Sequence, residues 1–123
     1  MLPEKLLEIL KHDGVVAIAT TGDDGAHLVN TWHHYISVTA DNRLRIPAGH
    51  FQKTEANIAK NPNVLVTVGS SKVPGNYGSG SGFLIKGTAA FITSGPEFDS
   101  MKAKFSWMRA TLAITVLSAT QTL

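Results

Sequence analysis

The stretch "GVVAIATTGDDGAHLVNTWHHYISVTADNRLRIPAG", residues 14–49, decides the fold. It holds three runs of strand-forming residues, separated by the turn-forming sequences Gly-Asp-Asp-Gly at 22–25 and Ala-Asp-Asn at 40–42. Short apolar and β-branched runs bounded by such turns are typical of antiparallel hairpins. We therefore predict a three-stranded meander, in which residues 27–38 form one continuous strand.

The flanking sequence extends this pattern. Leucines at helical spacing behind Pro3 predict a helix over residues 3–12. Further strand-forming runs follow at 63–72, 83–95 and 110–119, and a helix is predicted to open at Gly95. About six strands with few short helices favour a mainly β fold, and an antiparallel barrel in particular, because a closed sheet leaves no unpaired edge.

Composition limits the class of protein. A chain of 123 residues with 43% hydrophobic residues suits a single domain over residues 1–123. No apolar run approaches the roughly 18 residues of a membrane span, and the mixed-charge start is unlike a signal peptide, so we expect a cytoplasmic protein without membrane contact. The absence of cysteine excludes disulfides and thiol catalysis. A net charge of +2 and only three arginines argue against a nucleic-acid-binding face.

The stretch "GHFQKTEANIAKNP", residues 49–62, contains a candidate anion site. Thr54 is predicted as the N-cap of a short helix that ends at Asn61. Free N–H groups at a helix start, beside the hydroxyl of Thr54 and the ammonium of Lys53, would suit an anion. An ordinary strand-to-helix turn explains the same residues, and both interpretations remain open at this point.

A second unusual region is the predicted strand at 27–38, which combines Asn30 with the large aromatics Trp32 and Tyr35. The simpler explanation is structural: these side chains would belong to the barrel core, with one aromatic residue at an interface. Taken together with the anion site, amides and flat aromatic rings would suit a phosphorylated planar ring.

Other motifs indicate no separate site. His33 and His34 are adjacent, so on a strand they would point to opposite faces, and no carboxylate stands at metal-ligand spacing beside them. We therefore predict no metal site. The glycine-rich residues 74–82 precede a strand rather than a helix, which favours a mobile hairpin loop over a phosphate-binding loop.

Four segments in order, 14–32, 45–70, 82–98 and 114–123, resemble the FMN-binding split-barrel family, also described as pyridoxamine 5'-phosphate oxidase-like, and within it the small bacterial FMN-binding proteins. The resemblance covers about residues 3–123. It implies a six-stranded antiparallel Greek-key split barrel and a homodimer with one FMN per subunit near the dimer interface.

The resemblance also implies roles for individual residues. Lys53 and Thr54 match the phosphate-binding stretch, and the segment Asn30, Thr31 and Trp32 borders the isoalloxazine. Tyr35 is expected in the same pocket. The turn Pro47, Ala48 and Gly49 brings backbone near the cofactor. Trp107 is expected near the flavin, and Leu123 near the flavin of the partner subunit.

The expected function is that of an electron carrier or flavin-dependent oxidoreductase with an unidentified redox protein partner. The resemblance departs from substrate oxidases of the superfamily, which use several arginines and lysines for a second phosphate, whereas "QKTEAN" offers one lysine. An oxidase of the pyridoxamine phosphate type and a small nucleic-acid-binding barrel remain as alternatives. Asp13 is either a source of negative charge near the flavin or a solvated residue at a helix end.

Overall fold

The computed structural model describes residues 2–123, which form three helices and one seven-stranded antiparallel sheet. The helices are α1 Glu4–Leu10, α2 Gln52–Lys60 and α3 Pro96–Lys104. The strands are β1 Val15–Gly22, β2 Gly25–Trp32, β3 Ser37–Val38, β4 Arg43–Ala48, β5 Asn63–Pro74, β6 Ser79–Ile92 and β7 Ala110–Gln121.

The order of strands across the sheet explains its curvature. Hydrogen-bonded neighbours run β2-β1-β5-β6-β7-β4-β3, so β2 and β3 are the two edges. These edges are consecutive in the chain and are joined only through a 3-10 turn at His33–Tyr35 and Ile36. Because so short a connection cannot span a flat sheet of seven strands spaced about 4.8 Å apart, the sheet must curl back on itself. The predicted mainly β, split-barrel class is confirmed.

The strand count differs from the prediction, seven strands rather than six. The predicted strand at 27–38 is wrong in one respect, since it breaks at His33–Tyr35 into β2 and the two-residue β3. The imidazole of His33 is buried, its Nδ1 lies 2.8 Å from the carbonyl oxygen of His12, and its backbone N–H donates to Gly14. Burying this side chain turns the chain, so His33 and His34 do not alternate across a strand.

Alternation along the strands places the core inside the barrel. Val16 and Ile18 on β1 face inward, as do Val64, Val66 and Val68 on β5. Helix α1 packs the fully buried side chains of Leu6 and Ile9 against the same cluster.

One connection differs from expectation in length. The glycine-rich loop is short, because β5 continues to Pro74 and β6 begins at Ser79, so a turn at residues 75–78 joins them. The hairpin turns after Gly22 and before Arg43 are found where predicted. Within residues 2–123 no helix is long and apolar enough to cross a membrane.

Candidate functional site

A cleft of about 300 Å³ opens where the ends of β2 and β4 meet the loop that precedes α2. Seven of the eleven predicted site residues line it, although they come from three distant parts of the chain. The lining residues are Asn30, Thr31, Trp32, Tyr35, Pro47, Gly49, His50, Phe51 and Trp107.

The floor and first wall of the cleft come from β2. Thr31 is buried on the inner face, whereas Asn30 and Trp32 point to the outer face of the barrel and are exposed. The amide nitrogen of Asn30 donates to the carbonyl oxygen of Val16 across the strand pair at 3.3 Å, which orients the side chain.

The second wall is an aromatic cluster of Tyr35, Phe105 and Trp107. The ring centroids of Tyr35 and Trp107 are 5.4 Å apart, and Phe105 contacts both in edge-on geometry. Contacts of this kind add about 0.5–1.5 kcal/mol per pair beyond the burial of area. Tyr35 reaches the cluster because the 3-10 turn ends at this residue.

Lys102 holds the loop that carries Trp107. Its Nζ donates to the carbonyl oxygens of Ser106 and Met108, each at 2.6 Å. Both carbonyls flank Trp107, so the lysine at the end of α3 fixes the backbone on either side of the indole. A basic residue in the last helical turn, followed by an aromatic segment, is the only sequence signal for this role.

The start of α2 differs from the prediction. The helix begins at Gln52, and Phe51 precedes it in the left-handed conformation, with φ 67° and ψ 31°. Thr54 is therefore not the N-cap. It lies inside the first turn, because the turn at Phe51 starts the helix three residues earlier than expected. No side chain caps this helix.

The helix start nonetheless presents unused donors. The first intrahelical bond runs from the N–H of Glu55 to the carbonyl oxygen of Phe51 at 2.8 Å, so the N–H groups of Gln52, Lys53 and Thr54 come before it. Thr54 is fully buried, and its Oγ1 has no hydrogen-bond partner among the described residues. Buried hydroxyls are usually paired, so Thr54 has a donor available for an acceptor from outside the chain. Within residues 2–123, the hydroxyl of Thr111 is buried without a partner as well.

Lys53 does not line the cleft. Its Nζ pairs with the Asp24 carboxylate in the β1–β2 turn at 2.8 Å, and Lys60 at the other end of α2 pairs with Asp23 at the same distance. The hydrogen bond from Lys53 holds the pKa of Asp24 below its ordinary value.

With Lys53 and Thr54, two more of the eleven predicted site residues lie outside the cleft lining, namely Ala48 and Leu123. Asp13, considered as a source of negative charge, lies outside it as well. Ala48 is fully buried, and its carbonyl oxygen accepts the N–H of Arg109 at 2.8 Å. Leu123 lies beside the β5–β6 hairpin, where its carbonyl oxygen accepts from the Gln121 side chain at 2.7 Å. Asp13 is fully exposed, and one of its carboxylate oxygens lies 3.9 Å from Nδ1 of His34.

His50 and Phe51 line the cleft but were not among the predicted residues. No sequence pattern marks a residue other than glycine that adopts a positive φ, as Phe51 does. From the sequence alone, Phe51 resembles an ordinary aromatic residue of the core. Phe51 is only half-buried and packs against the edge of the core.

The fold and the cleft together define a small split-barrel protein with an aromatic cleft beside an uncapped helix start. Residues 2–121 match the family model described as pyridoxamine 5'-phosphate oxidase, and the chain belongs to this family. It is 58% identical, over the full length of both chains, to a protein named FMN-binding protein from Nitratidesulfovibrio vulgaris (strain DSM 19637 / Miyazaki F). The predicted family is confirmed.

Solved structures with much lower identity share the fold. An FMN-binding protein from Syntrophomonas wolfei superposes with a TM-score of 0.74 at 14% identity, covering 98% of this chain and 85% of that one. A putative pyridoxamine 5'-phosphate oxidase from Listeria innocua gives 0.70 at 18% identity, covering 96% and 95%. At such identities the likeness shows the fold alone.

Proposed function

We propose that this protein binds FMN in the cleft and serves as an electron carrier. One observation carries the proposal: an aromatic cleft lies directly beside a helix start whose N–H groups and buried Thr54 hydroxyl lack acceptors. FMN has a flat ring, which suits the aromatic cleft, and a phosphate at the end of a flexible chain, which suits the helix start. The relative at 58% identity, named FMN-binding protein, supports the same ligand.

The phosphate binds at the start of α2 in this proposal. The N–H groups of Gln52, Lys53 and Thr54 and the Thr54 hydroxyl donate to its oxygens, and the helix dipole favours its negative charge. Lys53 adds a charge-assisted hydrogen bond by leaving Asp24. Because that ion pair is exposed, and exposed pairs contribute little to stability, the exchange is easy.

Trp32, Tyr35 and Trp107, which all line the cleft, would hold the ring. Asn30 and the backbone at Thr31 and Gly49 supply polar groups for its edge. Bound flavin accepts and returns one or two electrons, and the protein sets the potential through hydrogen bonds, nearby charge and the exclusion of water.

The charges of the protein favour electron transfer over oxidation of a second phosphorylated molecule. All three arginines already have carboxylate partners: Arg43 and Arg45 pair with Glu97, and Arg109 pairs with Glu55. A second phosphate would need a cation at the cleft, and no lysine or arginine is among the residues that line it.

The assembly proposed is a homodimer in which each copy helps to cover the cleft of the other. Trp32 is 47% exposed and Trp107 52%, so water reaches both rings in one copy. Exposed apolar side chains continue from Trp32 along the outer face of β1, β2 and β5, at Val15, Leu28 and Leu65. Contiguous patches of this kind commonly mark interfaces. Leu123 would then meet the flavin of the partner copy.

The visible absorption spectrum of the purified protein tests the ligand. A yellow protein with one FMN per chain, reversibly bleached by dithionite and restored by an oxidant, supports the proposal. Sedimentation gives the mass of the assembly. A colourless protein that fails to take up added FMN overturns the proposal, and turnover of pyridoxamine phosphate would replace the electron-carrier function with that of an oxidase.

A further inference from the structure

Arg109 holds the chain on both sides of the turn that begins α2. Its Nε and Nη2 donate to the carbonyl oxygen of His50 at 3.1 and 2.7 Å, and its Nη1 pairs with Oε1 of Glu55 at 2.8 Å. Its backbone N–H donates to Ala48. One residue, immediately before β7, therefore fixes the segment before Phe51 and the first helical turn after it.

The turn needs such support. Phe51 occupies the left-handed region, which is unfavourable for a residue with a bulky side chain and persists only where the surroundings impose it. The guanidinium binds the carbonyl just before Phe51 through two N–H groups, and the planar geometry of arginine makes this two-point contact rigid. The direction of the free N–H groups at Gln52 and Lys53 follows from the conformation held at Phe51.

Arg109 also controls charge at this position. Glu55 lies in the first turn of α2, where a carboxylate favours the helix but repels an anion bound at the same end. The ion pair with Arg109 neutralises Glu55 and holds its carboxylate toward β7. Glu55 can therefore stabilise the start of the helix without repelling an anion bound there.

We infer that Arg109 is a positioning residue that makes the start of α2 selective for a phosphate without touching it. The inference rests on the proposed function, because it concerns the phosphate of the same ligand. It assigns the preference for FMN over riboflavin, which lacks the phosphate, in part to a residue outside the cleft lining.

Dissociation constants for FMN and riboflavin test this role in the full-length protein. We expect Arg109→Lys and Arg109→Met to weaken FMN binding on the order of ten-fold, the scale of one charged hydrogen bond, and to change riboflavin binding little. Lysine keeps the charge but cannot bond His50 twice and Glu55 at once. The double variant Arg109→Met, Glu55→Gln should recover part of the FMN affinity. The second substitution removes the Glu55 carboxylate, which would otherwise be left without its arginine and would repel the phosphate.

Lys60→Met is the matched control, because it deletes an ion pair at the opposite end of the same helix and should leave the FMN to riboflavin ratio unchanged. The phosphorus NMR shift of bound FMN gives a second readout, which should move in Arg109→Lys and not in the control. Equal weakening of both flavins, or an unchanged ratio in both Arg109 variants, overturns the inference. If the wild-type protein binds neither flavin, the proposed function itself fails.

Discussion

Trp107 packs directly on the backbone of Gly49: a Cβ atom placed on Gly49 would lie 3.0 Å from Cε3 of the indole. The two residues are far apart in sequence and form adjacent walls of the cleft. The absence of a side chain at Gly49 therefore sets how closely Trp107 approaches, and with it the width of the site.

Gly49→Ala tests this relationship. The added methyl group should push Trp107 outward, so we expect weaker binding of both FMN and riboflavin with the barrel still folded. The same Gly49→Ala substitution is also made in a Trp107→Ala protein, which completes a double-mutant cycle. There the added methyl group meets no indole, so its effect on flavin binding should be much smaller. Additive effects of the two substitutions would show that the contact does not shape the site.

Lys102→Met should loosen the loop that carries Trp107, because two charged hydrogen bonds to Ser106 and Met108 are lost. We expect the free energy of unfolding to fall by about 1–3 kcal/mol, and FMN and riboflavin to weaken equally, since the phosphate is not involved. Denaturant unfolding and flavin titration measure the two effects. Lys104→Met, at the exposed end of the same helix, is the control and should change neither.

Lys53→Ala should weaken FMN roughly ten- to hundred-fold and riboflavin much less, if one charge-assisted hydrogen bond to the phosphate is lost. Asp24→Asn should act in the opposite direction, because it frees Lys53 from its partner. Equal weakening of both flavins in Lys53→Ala would remove Lys53 from the phosphate site.

The pH dependence of stability follows from Asp24. The Lys53 hydrogen bond lowers the pKa of Asp24 below its ordinary value of 3.8, so the folded state binds the proton less tightly than the unfolded state. The stabilisation is present above that value and is lost as the pH falls through the lower pKa of the folded state. Acid unfolding of Asp24→Asn should therefore depend less steeply on pH below about pH 4. An identical profile in both proteins would contradict the ion pair.

Trp32→Ala tests the placement of the ring. An indole in contact with flavin can donate an electron to its excited state, so bound FMN should be almost non-fluorescent in the wild type. The substitution should lengthen the emission lifetime of bound FMN only in part, because Tyr35 and Trp107 remain beside the cleft. Time-resolved emission at saturation measures this, since steady-state intensity would include released FMN. The same bound-state lifetime in both proteins would place Trp32 away from the ring.

Local sequence rules predicted most of the secondary structure. Turn residues at 22–25 and 40–42 placed two hairpins, because glycine, aspartate and asparagine adopt turn conformations at low cost. The local rules were wrong at His33. Its imidazole is buried against Gly14, and the chain turns there, so residues 27–38 do not form one continuous strand. A Cβ on Gly14 would overlap the His33 ring. This contact joins two segments of the chain, and a local sequence pattern does not contain it.

The sequence by itself determined the class of fold and, through resemblance, most of the residues that line the cleft. Alternation along the strands and the segments shared with the family carry that information. Only the tertiary structure decided the start of α2 at Gln52, the position of Leu123 beside the β5–β6 hairpin, and the contacts of Lys102 and Arg109. Each depends on hydrogen bonds to backbone carbonyls, and a carbonyl group is the same in every residue, so no side-chain pattern marks where these bonds form.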